Sequence, residues 1–232
     1  MSTEVKESPQ APVVAPRSPL FGKKERKLIT DPLNDNNPIT VQVLGICSAL
    51  AITVKVQNAM VMALSVLAVV VVGNMVISAL RNLIPSRIRI IAQLVIAAGL
   101  VTLVDIVLKA YVYDVSKQVG VYVGLIITNC ILMGRYEAFA MGNKVWPSAL
   151  DGLGNSLGYA WILMAVATVR EIFGSGTWFG MPILGDAKAG TGLYALGYMN
   201  NNLIILPPFA LVCVGIIIWV QRSRNTKLVE AA

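Results

Sequence analysis

Six apolar runs dominate the chain, at residues 39–54, 59–80, 90–108, 119–134, 153–169 and 203–220. The second, third and sixth approach or exceed the ~20 residues that carry a helix across a bilayer hydrocarbon core. Within lipid every backbone N–H and C=O has to be paired inside the protein, and a helix does this within one segment. The first and fourth runs are the short ones, each equivalent to roughly 24 Å of helix. Of 232 residues, 56% are hydrophobic and only 13% are charged, too little polar surface for a soluble domain of this length. The pattern predicts an all-α integral membrane protein with six transmembrane helices.

The net charge of +7 is not a nucleic-acid signature, because the basic residues flank the apolar runs as loop charges do in membrane proteins. With six spans both termini lie on one face. That face, made of the N-terminal tail, the 81–89 and 134–149 loops and the C-terminal tail, holds 14 of the 19 basic residues. The other holds Lys55, Lys109, Lys117, Arg170 and Lys188. The positive-inside rule then places both termini in the cytoplasm. Residues 1–38, with six prolines and the cluster Lys23-Lys24-Glu25-Arg26-Lys27, are expected to be a disordered cytoplasmic tail. Residues 221–232 form the cytoplasmic C-terminal tail. The glycine-rich, aromatic connection at 170–202 is expected to rest at the outer membrane interface. Gly152, Gly154 and Gly158 are expected to let helices approach closely near the start of the fifth span.

The spans fall into two groups of three, residues 39–113 and 119–220. Each group begins with its short run, and each short run carries a cysteine, Cys47 or Cys130. Three spans per unit is an odd number, so the second unit enters the membrane upside down. The expected architecture is therefore two inverted three-helix repeats, with the first helix of each short and its surroundings marking the functional site. Cys213, in an unbroken apolar run, fits simple packing. For Cys47 and Cys130, packing, a disulfide or a metal centre are all open. Thiolates are the ligands of iron–sulfur clusters, and a [2Fe–2S] cluster usually needs four, so a partner would have to bring a similar pair. The chain has no histidine, which removes His-ligated haem, Rieske-type and His-containing zinc sites from this chain alone. It also has no glycine-rich phosphate loop following a strand.

Residues 44–53, Arg87-Ile88-Arg89-Ile90-Ile91, Tyr113-Asp114-Val115-Ser116-Lys117-Gln118, residues 123–134 and Asp151-Gly152-Leu153-Gly154-Asn155 resemble the D-subunit family of the sodium-translocating NADH:quinone reductases (Nqr). The resemblance runs from about residue 36 to the C-terminal tail, is weaker at 174–202 and is absent from the proline-rich tail. The related Rnf complexes have a similar subunit, but residues 124–134 resemble the Nqr type more closely. The resemblance implies a multi-pass subunit of a translocase in the bacterial inner membrane. It would pair with a homologous E subunit of opposite orientation, and the two would share an intramembrane [2Fe–2S] cluster. Its ligands here would be Cys47 in Gly45-Ile46-Cys47-Ser48 and Cys130 in Thr128-Asn129-Cys130-Ile131. Flavins, NADH and the quinone would belong to the other subunits, A, B, C and F. The implied role is electron relay through the membrane coupled to Na+ export, with no complete active site in this chain. Half-helix ends near the cysteines would offer backbone N–H groups to the cluster sulfurs.

Two carboxylates are candidates for a Na+ pathway. Asp105 precedes Lys109 by one turn and reads equally as a local ion pair. Asp151 opens the fifth run and reads as a helix cap or as the cytoplasmic mouth of a cation route. Arg135, Glu137, Arg170 and Glu171 read as interfacial charges that contact partner subunits. Two alternatives stand beside the relay subunit: a stand-alone secondary transporter with the same inverted repeat, and a purely structural assembly subunit whose cysteines only pack.

Overall fold

The computed structural model describes residues 23–33, 36–85, 87–111, 120, 122, 124–179, 181–182 and 202–224. These are mostly helical. Helix α1 covers Lys23–Thr30 and a 3-10 turn follows at Asp31–Leu33; α2 covers Ile46–Ile52, α3 Val56–Leu80 and α4 Arg89–Tyr111. Then come α5 at Cys130–Arg135, a π-helical turn at Tyr136–Ala140, α6 at Val145–Ser175, α7 at Asn202–Ile205 and α8 at Pro207–Arg224. A two-stranded antiparallel ribbon, Thr177–Trp178 with Met181–Pro182, follows α6.

Three helices among the described residues, α3, α4 and α6, are long and apolar enough to cross a membrane. They correspond to the second, third and fifth runs. α6 is longer than the apolar run 153–169 because its start at Val145 lies in polar sequence. Pro147 sits in its first turn, where a missing N–H breaks no helical bond. The sixth run becomes α7 and α8 with a break at Leu206. The two short runs are not continuous helices. In the first, residues 36–45 are irregular and only Ile46–Ile52 is helical. The Asn37 side chain causes this locally, its Oδ1 accepting from the Ile39 and Thr40 N–H groups at 3.0 and 3.3 Å. In the fourth, residues 124–127 are helical, the helix stops at Thr128-Asn129, and α5 begins at Cys130. Residues 112–119, 121 and 123 lie outside the described residues, as do most of the 170–202 connection, at 180 and 183–201, and the end of the C-terminal tail.

The core is built on α3 and α6, which run antiparallel along their whole length. Asn74 of α3 donates to Ser148 O near the start of α6, while Val56 at the start of α3 donates to Glu171 near the end of α6. Val66, Val69, Val70, Leu163, Val166 and Ala167 are buried between and around them. Gly152 faces α3, and a β-carbon there would stand 2.7 Å from Asn74 Nδ2. α4 leaves Ile90, Ile91, Val95, Leu103, Ile106 and Val107 exposed, an apolar surface suited to lipid or to another membrane chain.

Of the segment expected to be a disordered tail, residues 1–22 and 34–35 lie outside the described residues; residues 23–33 contain α1 and pack on α6. Gly154 and Gly158 make room for them, since β-carbons there would lie 2.5 Å from Leu28 O and 2.4 Å from Pro32 O. Asn37 Nδ2 then donates to Gly158 O at 3.0 Å. These two glycines thus receive the chain's own N-terminal segment, whereas Gly152 alone of the three serves contact with a long helix. The reason is local: a glycine groove accepts whatever backbone reaches it, and here that is Leu28, Ile29 and Pro32, with the Asn37 side chain beside them.

Candidate metal centre

Cys47 is the second residue of α2 and Cys130 the first of α5. Each helix starts where it does for an identifiable reason. Gly45 takes a left-handed conformation, φ 79°, that residues other than glycine rarely adopt, and the side where a β-carbon would stand lies against the Tyr159 ring. Asn129 is an N-cap, its Oδ1 accepting from Ile131 N–H at 3.3 Å.

The two starts are tied together. Asn129 Nδ2 donates to Ser48 Oγ at 3.3 Å, and Ser48 Oγ lies 2.6 Å from the Tyr159 hydroxyl while donating to Gly45 O at 2.8 Å. Ser48, Asn129 and Tyr159 are all buried. Cys47 adjoins Ser48 and Cys130 adjoins Asn129, so this polar junction brings both thiol-bearing turns to one place. Both cysteines are free and exposed, whereas Cys213 is buried. Tyr159 lies fourteen residues into the 31-residue α6, about 21 Å along a helix of about 46 Å. The junction therefore sits close to mid-height of the helical core.

The charged candidates are paired within the chain. Lys109 Nζ contacts Asp105 Oδ2 at 2.6 Å, the one-turn pair expected from spacing. Asp151 is not a helix cap, because α6 begins six residues earlier. It is buried and bound bidentately by Arg135, at 2.5 Å from Nη2 and 2.9 Å from Nε, with Asn155 Nδ2 donating to Oδ1 at 3.1 Å. Among the described residues, the Oδ1 atoms of Asn155 and of Asn74 are buried without a hydrogen-bond partner. Glu137 accepts from Arg89 at 2.7 Å and from Gln93 at 3.0 Å, and Arg135 lies over the Phe139 ring.

Arg170 and Glu171 do not face outward toward a partner subunit. They are 1% and 3% exposed. Arg170 donates to Thr53 Oγ1 and to the carbonyls of Leu50, Ile204, Ile205 and Leu206. Glu171 Oε2 accepts from Val56 N–H at 2.5 Å, and Oε1 from Thr177 Oγ1 at 3.3 Å. An Arg-Glu pair after an apolar run looks like the edge of a membrane span, but α6 continues past it, and the broken helices α2 and α7 present carbonyls that only a buried donor can pair. Tyr159 is a further site residue, one that hydropathy alone does not single out. Its signal in the sequence is a polar stripe, Ser148, Asp151, Asn155, Ser156 and Tyr159, recurring at helical spacing on an otherwise apolar helix.

Over residues 26–218 the chain matches the family described as Rnf-Nqr subunit, membrane protein. The chain belongs to the Rnf-Nqr membrane-subunit family. Among curated proteins it is similar to the D subunit of the Na(+)-translocating NADH-quinone reductase of Aeromonas hydrophila subsp. hydrophila, 54% identical over 206 residues, covering 89% of this chain and 96% of that one. The corresponding D subunit of Aeromonas salmonicida (strain A449) is also 54% identical over 206 residues, with the same coverage. That of Shewanella sp. (strain ANA-3) is 50% identical over 209 residues, 90% of this chain and 97% of the relative. The span matched to the Rnf-Nqr family holds both exposed cysteines, the Ser48–Asn129–Tyr159 junction and the Arg135–Asp151 pair.

Proposed function

We propose that this chain is a membrane subunit of a sodium-translocating NADH:quinone reductase, in which Cys47 and Cys130 supply half the ligands of an intramembrane [2Fe–2S] cluster. The observation that carries this is the Ser48–Asn129 hydrogen bond, which ties together the two turns that carry free, exposed thiols near mid-height of the core. The names of relatives 50–54% identical along nearly their whole length support the assignment to the complex.

The donor set fits such a group in part. Two thiols suit one half of a four-thiolate site, and among the described residues no three Cys, His, Asp or Glu side chains are grouped to hold a metal alone. The remaining two ligands would come from a homologous E subunit, packed in pseudo-symmetric fashion against the two thiol-bearing turns. When bound, the cluster supplies one-electron transfer through the membrane. This chain's own residues hold the ligand-bearing turns: Gly45 and Asn129 start the two helices, and Ser48 and Tyr159 lock them. NADH and the flavins would sit on the other subunits, A, B, C and F, and the quinone would be reduced within the same complex.

Two inverted three-helix repeats suit the reciprocal contacts of α3 and α6. Near the end of α3, Asn74 and Ser78 bind the backbone at Ser148 and Asn143, ahead of or within the start of α6. Near the end of α6, Arg170 and Glu171 bind the backbone at Leu50 and Val56, ahead of or within the start of α3. The basic-residue distribution favours both termini being cytoplasmic, and the similarity to the D subunits of bacterial complexes favours a bacterial inner-membrane location. For Na+ passage both carboxylates stay candidates: Asp105 Oδ1 is itself buried with no hydrogen-bond partner among the described residues, and Asp151 has beside it the likewise unpartnered Oδ1 of Asn155, hard oxygen donors of the kind alkali and alkaline-earth cations take.

Cys47→Ala and Cys130→Ala, each in the purified complex, test the cluster. The expected result is loss of the matching iron, acid-labile sulfide and EPR signal, with quinone reduction abolished and early flavin reduction by NADH retained. Normal turnover in either variant overturns the proposal, and an unchanged iron content would leave the cysteines as packing residues of a structural subunit.

A further inference from the structure

α2 has seven residues, too few to persist as a helix unsupported. Where Cys47 stands therefore depends on what fastens the two ends of α2. The beginning is held by Tyr159 and Asn129 through Ser48. The far end is held by Arg170.

The Arg170 guanidinium is buried and uses its fork of donors fully. Nη1 donates to Thr53 Oγ1 at 2.5 Å and Leu50 O at 3.3 Å, where α2 stops. Nε donates to Ile204 O at 3.2 Å, and Nη2 to Ile205 O at 2.5 Å and Leu206 O at 3.3 Å, where α7 stops before α8. One side chain of α6 thus donates to carbonyls at the ends of two interrupted helices and joins both to the central helix. A planar guanidinium can span two such ends; an ammonium concentrates its donors at one point. α5, which carries Cys130, is fastened to α6 differently, by the Arg135–Asp151 pair at its last residue.

We infer that Arg170 is a positioning residue for Cys47: it sets the place of that thiol, and not of Cys130, by pinning the end of α2 to α6 and to the α7–α8 break. Its consequence for the cluster rests on the function proposed above, whereas its consequence for the thiol does not.

The test uses the whole complex, iron-depleted, with alkylation by N-ethylmaleimide followed separately at Cys47 and Cys130 by mass spectrometry. In Arg170→Lys, Cys47 should be alkylated several-fold faster than in the wild type while Cys130 keeps its rate. Thr53→Val, which removes the Thr53 Oγ1 bonds to Arg170 and to Ala49 O and leaves the other Arg170 contacts in place, should move Cys47 in the same direction by less. In the iron-loaded complex Arg170→Lys should keep its iron and shift the g values of the EPR signal. Unchanged rates at Cys47, or equal acceleration at both cysteines, overturn the inference. Should Arg170→Lys not assemble, Thr53→Val decides by the same two rates. Should the wild-type complex hold no iron at these cysteines, the relay proposal fails while the alkylation rates still decide the role of Arg170.

Discussion

Asn129 donates to Ser48 Oγ across 3.3 Å, joining two turns that lie 81 residues apart in the chain. Around that bond, two helices too short to cross a membrane become one structure, each presenting an exposed thiol next to it.

The junction should be sensitive to single atoms. Ser48→Ala leaves the buried Tyr159 hydroxyl and Asn129 amide without their shared partner, a loss of about 1–3 kcal/mol in stability. Tyr159→Phe removes only one member and should cost less. Thermal unfolding of the purified complex in detergent ranks the two, and an equal or reversed ranking would show that Ser48 Oγ is not the hub.

The two aspartate pairs should behave differently when their cations are removed. Arg135→Ala strands the buried Asp151 carboxylate and should cost about 3–5 kcal/mol. Lys109→Ala acts on a pair whose lysine is 59% exposed and should cost about 0–1 kcal/mol. Arg135→Ala combined with Asp151→Asn should recover much of the first loss; a double variant as unstable as Arg135→Ala alone would argue against the pair as its source.

Glu171 pairs the N–H of Val56 at the start of α3. Glu171→Gln keeps an acceptor there and should be mild, whereas Glu171→Leu leaves the N–H unpaired in a dry site, at about 1–3 kcal/mol. Helix-start hydrogen exchange at residues 56–58 distinguishes them, with faster exchange expected only in Glu171→Leu.

Gly158→Ala places a methyl 2.4 Å from Pro32 O, so it should lift residues 28–33 off α6. Limited trypsin digestion should then cut at Arg26 and Lys27 faster, with the remaining membrane fragment intact. Gly99→Ala, a site with open space around it, is the control and should leave the digestion rate unchanged.

The class of the protein and its long helices were legible in the residues, since hydropathy and length are properties of a segment by itself. Runs 59–80 and 90–108 became α3 and α4 with ends moved by at most three residues. The shortness of 39–54 and 119–134, and the cysteine in each, were legible for the same reason. That each run is broken was less so, because the break at Asn129 is made by a cap and the irregular entry at Asn37 by a side chain turning on its own backbone.

What the residues alone determined is a membrane chain with two matching short segments, each bearing a thiol. Only the tertiary structure decided that the two thiol-bearing turns are tied together, that Arg170 and Glu171 are buried, that Asp151 is held by Arg135, and that residues 28–33 and Asn37 lie against α6. The physical reason is common to all four. The cost of burying a charge, an unpaired carbonyl or a hydroxyl is set by its partner, and those partners come from far along the chain: Arg170 reaches Ile204 34 residues away and Leu50 120 residues away.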